Sequence, residues 1–247
     1  MNPWPKLQRT PIIEALIDLR VEPRQDLVVD ELIALHDLLG KDAFPHVNKQ
    51  MTSMIQLAEL PIDVVRSTQP SGLLFRGADQ TQVVQAQQDG FAYSRLAPYV
   101  SWEDLLDNAK TRWAQYVQVA RPLHIKRLAV RYINRIQLPH PVEDFAEWIP
   151  TFPNAPESLP QGVAEVFQRM AIPILGSEQD MAIITLGLQP YRVDAKVVEV
   201  IFDIDIFRVA TWPVDGDGIW RALDSLRALK NQFFFGYLSA KTLELFK

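Results

Sequence analysis

Three arginines and three carboxylates are the side chains of this sequence best suited to bind a charged ligand. Arg127, Arg131 and Arg135 recur at every fourth position of RLAVRYINRI. Alternate side chains of a β-strand point to opposite faces of the sheet, so the three guanidinium groups share one face. Arginine donates paired hydrogen bonds to carboxylates and phosphates. The pattern therefore predicts a strand whose arginine side chains can bind an anionic ligand.

The carboxylates lie in two further segments with strand periodicity. Glu14 belongs to PIIEALIDLR near the start, and Asp203 and Asp205 belong to VIFDIDIF near the end. Two aspartates two positions apart lie about 7 Å from each other on one face of a strand. They can hold a hard cation or act as an acid–base pair. They can equally pair with the arginines of the same sheet, where each opposite-charge pair contributes about 0.2–1 kcal/mol.

Both interpretations remain open at the level of the sequence. The candidate ligand-binding residues are accordingly Arg127, Arg131, Arg135, Glu14, Asp203 and Asp205.

Composition removes several classes of function. The chain has 247 residues, no cysteine and a net charge of −5. The absence of cysteine excludes disulfides, thiol catalysis and cysteine-ligated metal sites. An acidic chain is a poor match for nucleic acid, whose binding relies on a basic surface.

Motifs for catalysis or cofactor binding are also absent. The four histidines have no metal-binding spacing, and no glycine pattern matches a phosphate loop or a nucleophile elbow. We therefore assign no catalytic residue, no metal and no cofactor. No apolar run reaches the about 18 residues of a membrane span, and the start has no secretory pattern, so we expect a cytoplasmic protein.

Periodicity and turn residues predict an α+β protein made of one compact unit, 1–247, with two halves, 1–121 and 122–247. Each half has the order β-α-β(3-4)-α, and we expect the halves to share a long antiparallel sheet with the long helices on one face. The predicted strands are 12–22, 47–60, 72–77, 80–88, 90–97, 123–138, 161–175, 181–190 and 196–209. The predicted helices are one after Asp26 that ends near 39, one from Ser101 to before Pro122, a short one at 142–149 and one at 218–235 after Asp217.

The C-terminal segment FFFGYLSAKTLELFK is unusually apolar for a chain end. It can close the core of its own chain, or it can form the seam of a homodimer, because large exposed apolar patches mark interfaces. Both interpretations stay open.

Three segments together, PIIEALIDLR, RLAVRYINRI and VIFDIDIF, resemble a sporadically distributed family of uncharacterised conserved bacterial and archaeal proteins of about this length. The resemblance implies a cytosolic single-chain protein with the patchy occurrence of mobile or defence-associated genes. It carries over no catalytic residue. The element order also looks like the saddle of TATA-box-binding proteins or a helix-grip cavity, which is an analogy of fold and not of function.

Without a catalytic motif, the sequence favours a non-catalytic module that binds a ligand or another protein. The alternative is an enzyme that acts on a small anionic substrate through Asp203, Asp205 and the arginines. A weaker alternative is a nucleic-acid-binding saddle. A protein or small anionic ligand and a second copy of the chain are the expected partners, while nucleic acid and a membrane are not expected.

Overall fold

The protein is an α+β structure built on one antiparallel sheet. The computed structural model describes residues 4–5, 7–57, 64–153, 158, 163–190 and 194–247, and only the backbone of 52–57 and 64–69. Within these residues there are nine strands and four α-helices. The strands are β1 (Ile12–Glu22), β2 (His46–Leu57), β3 (Val64–Arg76), β4 (Gln82–Gln87), β5 (Gly90–Leu96), β6 (His124–Pro139), β7 (Val166–Pro173), β8 (Asp180–Leu188) and β9 (Val197–Trp212). The helices are α1 (Leu35–Leu39), α2 (Trp102–Ala120), α3 (Gly218–Tyr237) and α4 (Ala240–Glu244).

The sheet has the strand order β2-β3-β4-β5-β1-β6-β9-β8-β7, and every neighbouring pair is antiparallel. β1 and β6 lie side by side at the centre. Outward from this centre, the first part of the chain follows the order β1, β5, β4, β3, β2, and the second part follows β6, β9, β8, β7. The strand predicted to carry the arginines is therefore flanked by the two strands that carry the acidic candidates.

One face of the sheet is covered by both long helices. Ala15, Ile17 and Leu19 of β1 are buried and lie directly opposite Tyr132, Val130 and Leu128 of β6, so all six point to the same side. α2 packs over β1 and β5, and α3 packs over β6 and β9. The helices meet where the Trp102 indole donates to an Asp224 carboxylate oxygen at 2.7 Å. The apolar alternation of the central strands thus forms the floor of the core.

Several predicted elements differ in detail. The helix expected up to residue 39 is a 3-10 turn at Val29–Ala34 followed by the short α1, and Asp26 pairs with Arg24 instead of capping it. The helix expected at 142–149 is a 3-10 turn at Phe145–Glu147. Such short turns bury few apolar side chains, so periodicity defines them poorly.

The caps of the long helices also differ from each other. The Ser101 hydroxyl accepts from the Asp104 backbone N–H, as predicted for the start of α2. Asp217 is the N-cap residue of α3, as predicted, but its side chain makes no capping hydrogen bond. No helix in the described part of the chain is both long and apolar enough to cross a membrane.

Candidate functional site

The arginine side chains of β6 lie on the face of the sheet that the helices leave uncovered. We call Arg127, Arg131 and Arg135 with their carboxylate partners the arginine ladder. Arg131 binds Asp203 of β9 with two parallel hydrogen bonds, from Nε to Oδ1 at 2.9 Å and from Nη2 to Oδ2 at 2.6 Å. The Asp203 side chain is only 13% exposed, whereas that of Arg131 is 43% exposed. This fork geometry uses both carboxylate oxygens of Asp203.

Arg127 connects three strands. Its Nη1 donates to Asp18 Oδ1 of β1 at 2.8 Å, and its Nη2 donates to Asp205 Oδ2 of β9 at 3.0 Å. Its guanidinium carbon also lies 4.3 Å from the centroid of the Phe207 ring. Asp18 receives a second ion pair, at 3.2 Å, from Arg20. Burial raises the pKa of Asp205, and Arg127 and Arg131 oppose that rise.

The remaining candidates are held more loosely. Arg135 Nε lies 3.9 Å from Glu199 Oε2, and both side chains are more than one-third exposed. Glu14 makes no hydrogen bond or ion pair with a described residue, and its charge acts on Arg131 from a distance. Asp203 and Asp205 lie on one strand face as predicted, but each faces a different arginine.

The arginine ladder is therefore an internally compensated charge network. Asp203 is occupied by Arg131, and one oxygen of Asp205 is occupied by Arg127, so neither aspartate is a free base. The second oxygen, Asp205 Oδ1, is buried without a hydrogen-bond partner among the described residues. The contacts fit a support for the three central strands better than an open anion site.

The other face of β6 borders a cavity with a different character. We call this cavity the lysine pocket; it measures about 530 Å³ and lies between β6, the start of α2, the middle of α3 and the chain's first described residues. That volume is in the range of small-molecule sites, about 300–1,000 Å³. Its characteristic wall residues are Trp4, Tyr99, Tyr132, Asn134, Lys230 and Asn231.

Lys230 is the unusual group in the lysine pocket. It follows Leu226 by one helical turn and precedes Phe234 by another, so the buried stripe of α3 carries its side chain inward. Lys230 is 8% exposed, and its Nζ lies 4.0 Å from the centroid of the Tyr132 ring. It makes no ion pair or hydrogen bond with a described residue. A buried ammonium normally has a carboxylate partner, because desolvation of an isolated charge is costly.

Burial controls the acid–base properties of the pocket. It lowers the pKa of Lys230 to about 7, with a smaller contribution from the nearby charge of Arg227. Burial also raises the pKa of Tyr99 to about 12 and that of Tyr132 well above its ordinary value. Near neutral pH the pocket therefore holds a partly neutral amine beside two protonated phenols.

Other polar groups that line the lysine pocket have unused hydrogen-bonding capacity. The Tyr99 and Tyr132 hydroxyls lie 3.2 Å apart. Asn134 donates through Nδ2 to the Phe202 carbonyl at 2.9 Å, but its buried Oδ1 has no partner among the described residues. Asn231 is also buried and makes no hydrogen bond with a described residue. Buried polar groups without a partner are uncommon, and each one requires an explanation such as a bound water, an ion or a functional role.

The first described residues line one side of the lysine pocket, and they also contact α3 and the C-terminal segment. The Trp4 ring stacks on Phe235 of α3, with centroids 4.9 Å apart and planes 6° from parallel. The backbone N–H groups of Gln8 and Arg9 donate to the Phe246 carbonyl at 3.0 and 3.1 Å. Phe234, Leu238 and Phe246 are buried, so the apolar C-terminal segment packs against its own core.

The lysine pocket was not among the sequence-derived candidates. Its signals were present as polar residues at positions whose neighbours in the pattern are apolar: Asn134 on the face of β6 with Tyr132 and Ile136, and Lys230 between Leu226 and Phe234. The described residues contain no group of three or more histidine, aspartate or glutamate side chains placed to hold a metal.

Comparison with known proteins gives no assignment. No family model matches the chain, and no curated protein matches it at a significant level. Membership of the family that the three segments resemble therefore stays a prediction. Fold and geometry define the class: an α+β protein with a compensated charge network on one sheet face and an uncompensated cationic pocket under the other.

Proposed function

We propose that this protein binds a small organic acid with a flat apolar body in the lysine pocket. The observation that carries the proposal is the buried Lys230 amine, which lacks an acid partner in the described structure and lines a cavity of ligand size. An anionic ligand would supply the missing negative charge.

The walls of the lysine pocket support the remaining chemistry of the ligand. Trp4, Tyr99, Phe234 and Phe235 offer aromatic surface for an apolar body. Arg227 lies on the wall three residues before Lys230, on the same side of α3, and offers a second cation. Pockets of this kind, apolar with a few convergent polar groups, are typical of small-molecule sites.

A fluorescent organic acid tests the proposal directly. We expect 8-anilinonaphthalene-1-sulfonate to bind one site per folded chain with a rise in emission. Lys230→Met removes the buried cation and should weaken this binding about tenfold at pH 6, since charge-assisted hydrogen bonds contribute about 1.5–3 kcal/mol. Lys126→Met is the matched control, because Lys126 is exposed and pairs with Glu22 at 2.8 Å. Equal affinity of both variants and the wild type would contradict the proposal.

The other functional predictions receive less support. An enzyme that uses Asp203 and Asp205 would need free carboxylates, and these two already accept hydrogen bonds from Arg131 and Arg127. A nucleic-acid saddle would need free cations, and the same pairs neutralise two of the three ladder arginines. We therefore propose binding without catalysis as the function. A cytoplasmic and defence-associated setting stays a prediction.

We further infer that the halves 1–121 and 122–247 are two copies of one β-α-β(3-4)-α unit. The support is the strand order, in which each part places its first strand at the centre, its last strand next to it and earlier strands further out. α2 and α3 then follow β5 and β9, the corresponding strands.

The predicted homodimer gains no support from the C-terminal segment, whose large apolar side chains contact the chain's own core. Light scattering on the purified chain tests it. A monomer at micromolar concentration would contradict the dimer without affecting the lysine pocket.

A further inference from the structure

We propose that Lys230 captures a carbonyl group of the ligand as a reversible imine, so that the ligand is an oxo acid or an aldehyde that carries a carboxylate. This inference rests on the proposed function and extends it from a charge contact to a covalent one. Its basis is the placement of a buried amine, with no ion pair among the described residues, on the wall of a ligand-sized cavity that it shares with a second cation.

The first step concerns which lysine can react. An amine attacks a carbonyl carbon only when it is unprotonated. Six other described lysines form ion pairs with carboxylates: Lys41, Lys49, Lys110, Lys126, Lys241 and Lys247. Lys196 and Lys230 have no such partner in the described structure, and of these two only Lys230 is buried.

The acid–base state of Lys230 agrees with this placement. With its pKa lowered to about 7 by burial, about half of the amine is neutral at pH 7. An ordinary exposed lysine has a neutral fraction roughly a thousandfold smaller at that pH. The charged and titratable groups that line the cavity with it are Arg227 of α3, Glu103 of α2, and the phenols Tyr99 and Tyr132.

The second step concerns the ligand's orientation. Arg227 also makes no ion pair with a described residue, and its guanidinium carbon lies 5.8 Å from the centroid of the Trp102 ring. A carboxylate bound to Arg227 would bring a carbonyl on the adjacent carbon to the same wall as Lys230. Asn134 lines the same cavity from β6, and its buried Oδ1 has no hydrogen-bond partner among the described residues.

The reaction is balanced without any further reagent. The Nζ lone pair forms a bond to the carbonyl carbon, and the carbonyl oxygen becomes a hydroxyl. The carbon–oxygen bond then breaks, and the oxygen leaves as water with the two hydrogens of the amine. The carbon–nitrogen double bond remains, no group is oxidised or reduced, and addition of water reverses the capture.

Phenylpyruvate is a suitable probe because it combines an aromatic body, a carboxylate and an adjacent ketone. The folded chain is incubated at pH 7 with phenylpyruvate and sodium cyanoborohydride, which fixes an imine as a stable amine. Mass spectrometry of the intact chain and its peptides should locate one adduct on Lys230, at least about tenfold above any other lysine. Lys230 labelling should rise between pH 6 and pH 8, while the exposed lysines need a pH several units higher.

Two variants separate reaction from folding. Lys230→Arg keeps a cation in the pocket but cannot form an imine, so it should lose the adduct. Lys126→Arg removes an exposed lysine and should label like the wild type. An adduct spread evenly over several lysines, or one that persists at the same total level in Lys230→Arg, would overturn the inference.

A second ligand separates this inference from the proposed function. Phenyllactate has the same body and carboxylate but a hydroxyl in place of the ketone. If phenyllactate and 8-anilinonaphthalene-1-sulfonate bind and phenylpyruvate leaves Lys230 unlabelled, the imine is wrong and the binding function stands. If none of the three binds, both are wrong.

Discussion

The two faces of β6 differ in whether their cationic side chains have acidic partners. On the uncovered face, Arg127 and Arg131 reach Asp18, Asp205 and Asp203 within hydrogen-bonding distance. On the helix-covered face, Lys230 is more deeply buried and has no acidic partner in the described structure. In a paired charge the attraction to its partner offsets the cost of desolvation, whereas a buried charge without a partner leaves that cost unopposed.

This difference also changes which residues are the best candidates for a binding site. Three arginines on one strand face suggest a binding site, yet two of them pair with carboxylates of the same chain at hydrogen-bonding distance. A single lysine in an apolar stripe is a weaker signal in the sequence, yet it lies in a ligand-sized cavity. The arginine ladder and the lysine pocket differ as candidate binding sites because of the pairing of their cations, not because of the number of charges.

The largest effect should come from breaking the best-formed pair of the arginine ladder. Asp203→Ala leaves Arg131 half-buried without its carboxylate, and we expect the free energy of unfolding to fall by about 3 kcal/mol. Urea denaturation with unchanged m-value measures this. A loss below about 0.5 kcal/mol would show that the pair is only a surface contact.

Removal of the charged group should stabilise the fold at the lysine pocket, the opposite of its effect at the arginine ladder. Folding lowers the pKa of Lys230 to about 7 from an ordinary value of 10.5, so between those values the unfolded chain binds more protons and stability rises with pH. The cost of the buried amine is therefore greatest below pH 7. Lys230→Met should raise the free energy of unfolding by about 2 kcal/mol at pH 6 and by much less at pH 9.

Urea denaturation of Lys230→Met and Lys126→Met at both pH values checks this expectation. Lys126→Met, which alters an exposed pair with Glu22, should change stability by less than about 1 kcal/mol and without this pH dependence. A destabilised Lys230→Met at pH 6 would mean that the lysine has a stabilising partner and would remove the contrast between the two faces.

A smaller effect should follow from removing both members of the ladder pair. Arg131→Met together with Asp203→Leu leaves no unpaired charge, so the double variant should lose only about 1 kcal/mol, less than Asp203→Ala alone. A double-mutant cycle, completed by Asp203→Leu and Arg131→Met singly, measures the coupling free energy. Additive losses would show that Arg131 and Asp203 act independently despite their 2.6 Å contact.

The smallest effect is expected at the end of the ladder. Arg135 and Glu199 lie 3.9 Å apart and both side chains are more than one-third exposed, so Glu199→Gln should change the free energy of unfolding by less than about 0.5 kcal/mol. Thermal melting at low and high salt provides the measurement. A larger, salt-resistant loss would extend the compensated network to this pair.

Local pattern was sufficient for much of the fold. The 11 residues of β1 are the predicted 12–22, and β6 and α2 differ from their predicted bounds by a residue or two at most. These elements have strong alternation or a strong helical stripe, and residues such as Pro23 and Pro122 mark their ends. Strict alternation would place His124 on the face of Leu128 and Val130, but His124 is exposed, because a register shift between Ile125 and Arg127 interrupts the alternation.

The amino-acid order also indicates that one face of β6 is cationic, that β1 and β9 carry acids on one face, and that α3 has a lysine in its buried stripe. All three are periodic properties of single segments. Which acid meets which arginine depends on the register of β1 and β9 against β6, and these strands are more than sixty residues away in the chain.

The lysine pocket depends on contacts of still longer range. Trp4 reaches Phe235, and Tyr99 reaches Tyr132, only after the sheet, the helices and the two chain ends have come together. Whether a lysine has a partner depends on every element that packs around it. The sequence of a single segment does not contain that information. The sequence alone determines which positions carry a charge. Only the tertiary structure decides that the charges on one face of β6 have partners and that the amine on the other face has none among the described residues.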